Sequence, residues 1–342
     1  MKQILFILIS IFIFSCEEKS AAEDFVLEKF EIESSKVSFP YSPRDIIQYK
    51  GGYLCRLSPY ESDSIQMVFI DSNYQIDHKV NNELNQGAET NILAVWTQGD
   101  TLFSISGIGY SDYLIRYMIH DTWIIADTGT TNKENYMHHE KNYPIFEDSE
   151  YKVSSCCRGE FGGAIFFYDK INQKTFSCPS TCLSGIEKFQ NSFYITSSLG
   201  GYFSTIIKID NPRELYEIQN INQLNDCNWY DIYPNESGGE VKNPDGYDKG
   251  YDTIINTFDA SILASFELRD YLYYLYSDTK NVYIGHAVNK KLESIDTIYN
   301  KAMWTHDVRD LRHNSNIVPI RSREMNGMLI LEGKKIKVIV FE

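Results

Sequence analysis

Several familiar signatures are missing from these 342 residues, and each absence removes a class of protein. No segment reaches the roughly 20 apolar residues that a membrane-spanning helix needs. No long stretch carries a clean helical stripe, which argues against a helical core. G-x-S-x-G is absent, and Gly200-Gly201 in SSLGGYFS lacks the strand-to-helix surroundings of a nucleophile elbow. Phosphate loops are lacking too. The adjacent pair Cys156-Cys157 departs from the C-x2-4-C spacing of zinc sites, and neighbours on a strand point to opposite faces. DGYDKGYD, residues 245 to 252, departs from the EF-hand spacing. No metal and no cofactor is therefore expected, and no catalytic residue stands out.

What the chain does have is acid and aromatic surface. Its formal charge of -15 is spread over the whole length, which repels phosphate backbones and makes nucleic acid an unexpected partner. A hydrophobic fraction of 43% is that of a folded chain. The 25 Tyr and 19 Phe sit in short runs with Ile, Val and Thr, residues that suit a pleated surface.

A unit recurs along the chain, an apolar strand closed by an Asp or Asn turn and followed by a second strand. It begins at Ser64 (SIQMVFIDSNYQIDHKV), Asp112 (DYLIRYMIHDTWIIADT), Gly163 (GAIFFYDKINQKTFS), Ser204 (STIIKIDNPRELYEI) and Asn281 (NVYIGHAVNKKLESIDTI). The starts lie about 40 to 50 residues apart except for the last gap, near two units, a rhythm that points to four-stranded propeller blades. The expected fold is all-β, a β-propeller of six or seven four-stranded blades, with tandem β-sandwiches as the alternative. One blade is expected to be disguised between Ile221 and Leu268. The three strands read in the C-terminal segment and a strand pair near Asp24–Pro40 suggest a ring closed by joining the first strand to the last blade, which hides two sheet edges.

The first 20 residues read MKQILFILISIFIFSCEEKS, with Lys2 ahead of an apolar run from Ile4 to Phe14. That run is short for a span and has the flanks of a secretory signal. Ile13-Phe14-Ser15-Cys16 resembles a bacterial lipobox, in which the cysteine is acylated and becomes the first mature residue. The resemblance implies a signal peptide over 1–15, a lipidated Cys16 with tether over 16–24, and one domain over 25–342. Acyl chains contribute about 0.8 kcal/mol per buried methylene, so several on one cysteine anchor a protein durably. Membrane contact is thus expected through lipid, and the acidic residues after Cys16 suggest the outer membrane.

Export permits disulfides, so Cys156, Cys157, Cys178 and Cys182 have two readings: one of the first pair bridged to one of the second, or buried free thiols. Trp304, His306, Asp307 and Arg309 form the densest group of aromatic and titratable side chains and are candidates for a binding site; a solvated loop between blades is the plainer reading. His138-His139 lies in a polar connection and carries little. Taken whole, lipobox-like segment and blade rhythm resemble the uncharacterised propeller lipoproteins of Gram-negative bacteria, although the sialidase Asp box and a recurrent Trp-Asp blade ending are missing. That resemblance implies a binding or scaffold role toward a protein, peptide or glycan. The alternative is a propeller glycoside hydrolase with paired carboxylates from different blades.

Overall fold

A computed structural model describes residues 29–57, 66–86, 92–98, 100–108, 112–130, 145–157, 163–199, 203–218, 249–305 and 316–342. Among them, six small sheets form a ring, a six-bladed β-propeller. Blade 1 comprises β1's successors β2 (Pro43–Tyr49), β3 (Gly52–Leu57) and β4 (Met67–Ile70), followed by helix α1 (His78–Asn85); β1 itself is Glu31–Val37. Blade 2 is a four-stranded meander of β5 (Ile92–Gln98), β6 (Thr101–Ile108), β7 (Asp112–Ile119) and β8 (Thr122–Thr130). Blade 3 holds β9 (Phe146–Glu147), β10 (Tyr151–Cys157), β11 (Gly163–Asp169) and β12 (Lys174–Pro179). Blade 4 holds β13 (Leu183–Phe189), β14 (Ser192–Leu199) and β15 (Phe203–Ile209); after them the chain makes a 3-10 turn at Pro212–Glu214 and lends β16 (Tyr216–Glu217) to the outside of β12. It then returns as β17 (Asp252–Thr257), paired with β15. Blade 5 is β18 (Ser261–Leu268), β19 (Tyr271–Ser277), β20 (Val282–Val288) and β21 (Lys291–Tyr299). Blade 6 is β22 (Ile317–Arg321), β23 (Asn326–Glu332) and β24 (Lys335–Phe341), and β1 lies parallel against β24 to close the ring.

The hairpins explain the blade rhythm. In five of them both central residues have positive φ: Lys50-Gly51, His120-Asp121, Gln190-Asn191, Arg269-Asp270 and Asn289-Lys290. Two-residue turns of that hand match the twist of the flanking strands. Only one of the five uses glycine, so the Asn-Gly signal that flags such turns is missing. The cores lie between neighbouring blades. Phe167 and Phe176 of blade 3 meet Phe193 and Ile207 of blade 4, and Leu275 and Ile284 of blade 5 meet Val318, Leu329 and Val338 of blade 6.

Three details differ from expectation. In the wide gap between repeats the described residues form no further blade: β17 returns to pair with β15 inside blade 4, and β18 then opens blade 5. Of the N-terminal strand pair, the described part is the single strand β1. The segment after Asp71, read as a strand, contributes only a bridge between Ile76 and Ile70 and then turns into α1. Asp77 caps that helix, its Oδ1 accepting from the N–H groups of Lys79 and Val80 at 2.9 and 3.1 Å, and a local cap of this kind outweighs the strand pattern.

The helix stands where blade 1 would have its fourth strand. Asn81 and Asn85, one turn apart on its face, serve the outer edge of β4. Asn81 Oδ1 accepts from Phe69 N; Asn85 Oδ1 accepts from Gln66 N and Met67 N while its Nδ2 donates to Met67 O at 2.8 Å. Side-chain amides thus satisfy an edge that would otherwise invite pairing. Asn85→Ala is expected to cost about 1–2 kcal/mol through the lost bonds. Urea unfolding measures it, and an unchanged midpoint would show that water replaces the amide at no cost.

Candidate functional site

Two places bring functional side chains together. The first is a cleft of about 390 Å³ between the C-terminal end of α1 and the outer hairpin of blade 2, lined by Gln86, Leu114, Arg116, Asp121, Thr122, Trp123 and Ile125. Register explains the lining: Arg116 of β7 faces Ile125 of β8, and Met118 faces Trp123, so these side chains share one sheet face. Trp123 Nε1 donates to Leu84 O at 2.9 Å, satisfying a carbonyl of the last helical turn and fixing the helix against blade 2. The buried Arg116 guanidinium stacks over the Trp123 ring with its carbon 5.3 Å from the centroid and donates to Ser106 Oγ. At the mouth, Lys50 bridges the two blades to Asp121 at 2.6 Å. That hydrogen bond holds the Asp121 carboxyl below its ordinary value and raises the Lys50 ammonium. The cleft therefore offers an indole wall, an isoleucine lip and a guanidinium already held by its neighbours.

The second place is the seam between blades 4 and 5, where first strands β13 and β18 run side by side. Serines stitch it: Ser204 Oγ donates to Ser198 Oγ and accepts from Ile262 N, both at 3.0 Å, and Ser198 Oγ meets Ser261 Oγ at 2.8 Å. A side chain at Gly185 would lie 2.8 Å from Thr196 Oγ1 and 2.9 Å from Ser265 Oγ, so the blades approach there as only glycine allows. Two residues on, Glu187 is part-buried and its carboxyl is pushed up to about 8, by burial first and by the exposed Glu267 of β18 second. Tyr274, buried beside it, has its phenol raised by burial, with smaller contributions from Tyr194 and Glu187. Glu187 thus holds its proton near neutral pH, close to a second carboxyl from the neighbouring blade.

The residues singled out from sequence fall elsewhere. Trp304 is part-buried, and its N–H and C=O pair with Arg321 on the edge of β22, each bond 2.8 Å. His306, Asp307, Arg309 and Cys16 lie outside the described residues, as do His138, His139 and most of the 219–248 segment's candidates. Cys182 is disulfide-bonded. Cys178 is a free, buried thiol whose pKa burial drives far up: on β12 it faces the apolar core between blades 3 and 4 and braces by packing alone. Cys156 and Cys157 are consecutive residues of β10, at register with Ala164 and Gly163. Among the described residues no group of three His, Cys, Asp or Glu side chains is placed to hold a metal ion, and no helix is long and apolar enough to cross a membrane.

Arg116, Trp123, Glu187 and Glu267 escaped the sequence reading. The available signal was the arginine inside an otherwise apolar strand, YLIRYMI, because an arginine buried there must find partners.

No protein-family model matches the sequence, and no curated protein does. Solved structures do match, at low similarity. The computationally designed Ika8 protein is 8% identical with a TM-score of 0.38, over 90% of this chain and 89% of that one. The uncharacterized protein lmo1340 from Listeria monocytogenes is 6% identical with a TM-score of 0.35, over 90% and 97%. An exo-β-1,3-galactanase from Phanerochaete chrysosporium is 7% identical with a TM-score of 0.31, over 77% and 66%.

Proposed function

We propose that this protein is a lipid-anchored component of the cell envelope, held to the outer membrane through Cys16, that binds a protein, peptide or glycan partner on its propeller. A propeller is a rigid platform suited to binding or scaffolding, and the observation that carries the reading is the cleft between α1 and blade 2. It combines an aromatic wall with a few fixed polar groups, the usual make-up of a ligand site. The test uses the exposed Thr122 at its mouth. Envelopes cross-linked and purified through the protein are expected to yield a defined partner with the wild type and at least tenfold less with Thr122→Trp, which fills the cleft. Equal recovery from both would refute the cleft as the binding site. For the anchor, mass spectrometry of the mature N-terminal peptide should find acyl groups on Cys16; an unmodified thiol there removes it.

A second reading, a propeller glycoside hydrolase, has one observation in its favour: Glu187 and Glu267 come from different blades, and the first holds a proton to about pH 8. A carboxylic acid that keeps its proton at neutral pH is one of the two groups that glycoside hydrolysis needs. Hydrolysis of aryl glycosides that falls at least a hundredfold in Glu187→Gln would establish it, and activity unaffected by that change would dismiss it.

A further inference from the structure

Blades 3 and 4 are joined at both ends of β11. At the Asp169 end, Arg213 reaches over from the turn after β15 and bonds the carboxylate at 2.6 Å. At the Gly163 end the chain crosses from β12 of blade 3 to β13 of blade 4, and on the way Ser180 N donates to Gly163 O at 3.1 Å. Ser180 Oγ then meets Ser197 Oγ of β14 at 2.8 Å, and Ser198 N donates to Cys182 O at 2.7 Å, so the crossing is pinned to both blades. Cys182 is buried in the core that the two blades share. It is disulfide-bonded, whereas Cys178 of the same core and Cys55 are free thiols. A bonded cysteine at this crossing needs its partner close by, because a disulfide spans only about 4.4–6.8 Å between Cα atoms.

We propose that Cys157 is the disulfide partner of Cys182, a clip between β10 of blade 3 and the entrance to blade 4. Register selects it. In the antiparallel pair of β10 and β11, Tyr151 stands opposite Asp169, Val153 opposite Phe167 and Cys157 opposite Gly163. Residues two apart on a strand share a face, so Cys157 takes the face of Tyr151 and Val153, which pack in the core between blades 3 and 4. Cys156 takes the opposite face. Gly163 links the two cysteines, being the register partner of Cys157 and the acceptor for Ser180, two residues before Cys182. Strand β10 also comes close to β13, which begins at Leu183. Forming the bond takes one electron and one proton from each thiol, and a disulfide oxidant, of the class that serves exported proteins, accepts them. Persistence of the bond in the cell rests on the envelope reading, since reducing compartments keep thiols reduced. The connectivity does not.

The experiment equilibrates the full-length protein in detergent with a glutathione redox buffer, alkylates the remaining thiols in denaturant, digests with trypsin without reduction and identifies the peptides by mass. In the wild type, peptide 153–158 is expected to be linked to peptide 175–188, with Cys156 and Cys178 alkylated. Cys156→Ser should keep the link and Cys157→Ser should lose it. Dithiothreitol should raise the unfolding equilibrium constant of the wild type about a hundredfold or more, the size expected for a ring of about 25 residues, and leave that of Cys157→Ser unchanged. A link that Cys157→Ser retains and Cys156→Ser loses would overturn the face assignment, and a link from 175–188 to the peptide carrying Cys227 would overturn the pairing. Alkylation of every cysteine would do the same. Because Cys156→Ser leaves Cys157 as the only cysteine of its peptide, the result stands even where Cys157→Ser does not fold. The same digest of protein taken directly from the envelope separates the two readings: a link formed in the redox buffer but absent from the cellular protein would support the pairing and count against an exported location.

Discussion

Replacing Asp169 with alanine is expected to lower stability by about 3 kcal/mol, within the range for breaking a buried charged pair once the part-exposed Arg213 is allowed for. Asp169 closes β11, and none of its side chain is exposed. One oxygen accepts from the N–H groups of Ile171 and Asn172 at 2.9 and 3.1 Å, and the other from Asn172 Nδ2 at 2.7 Å and Arg213 Nε at 2.6 Å. The Arg213 guanidinium also reaches Glu150 at 3.3 Å and lies over the Tyr151 ring, so the turn after β15 is clamped onto blade 3. Alanine would strand two backbone donors as well as the arginine. Asparagine keeps an acceptor for the turn and loses only the charge, so Asp169→Asn should cost roughly half as much. The arginine holds the Asp169 carboxyl well below the ordinary carboxylate range. A depressed folded-state pKa contributes stability above the unfolded value of 3.8 and loses it as pH falls toward the folded one. The difference between wild type and Asp169→Asn, read by guanidinium unfolding, should therefore be full at pH 6 and shrink below pH 4. Hydrogen exchange adds a local readout: with the clamp gone, the bond from Ile218 N to Thr175 O that holds β16 should open sooner. An Asp169→Ala protein as stable as the wild type would show that Arg213 and the turn re-form their bonds with water at no loss.

Strand chemistry and spacing carried the fold a long way because each blade is a local object. The hairpins over 112–130 and 163–179 could be read residue by residue, since their apolar runs stop at the turn and resume after it. What misled was anything that left the local pattern. The interval after β15 is doubled while the described residues add no blade there, and α1 replaced a strand whose apolar residues, Ile76 and Val80, alternate ambiguously between periods of two and four. The site was less legible still. Arg116 and Trp123 matter because β7, β8 and the end of α1 converge from segments 40 residues apart, and Glu187 and Glu267 because two first strands lie side by side in neighbouring blades. Contacts between blades leave no periodic trace in sequence. The Trp304 cluster drew notice by density alone, while its described member serves a backbone pairing with Arg321.

Glu187 supplies the largest expected effect of the opposite sign, a gain of about 2–3 kcal/mol at pH 8 on substitution by glutamine, reckoned from about 1.4 kcal/mol per pKa unit and reduced for the part of the side chain that water reaches. Its carboxyl holds a proton to about pH 8 in the folded chain against 4.5 in the unfolded one. Between those values the folded state binds more protons, so stability falls as pH rises, from full below 4.5 to its minimum contribution above 8. Glutamine presents the same shape without a proton to lose. The variant should match the wild type near pH 4.5, exceed it increasingly toward pH 8, and flatten the curve of unfolding midpoint against pH across that window. The groups that face the carboxyl allow the cause to be separated. Burial is the larger influence and Glu267 the smaller, while neighbouring Lys188 turns away to Asp148 at 2.6 Å. Glu267→Gln should therefore recover only a minor share of the gain, and the two substitutions together little more than Glu187→Gln alone. If the pair instead bears the glycosidase chemistry of the second reading, the stabilised Glu187→Gln variant is also the inactive one, the trade expected where a fold holds a strained carboxyl for use. Parallel curves for wild type and variant would mean that Glu187 ionises as an ordinary surface carboxyl, and both the seam's pH dependence and the second reading would fall with it.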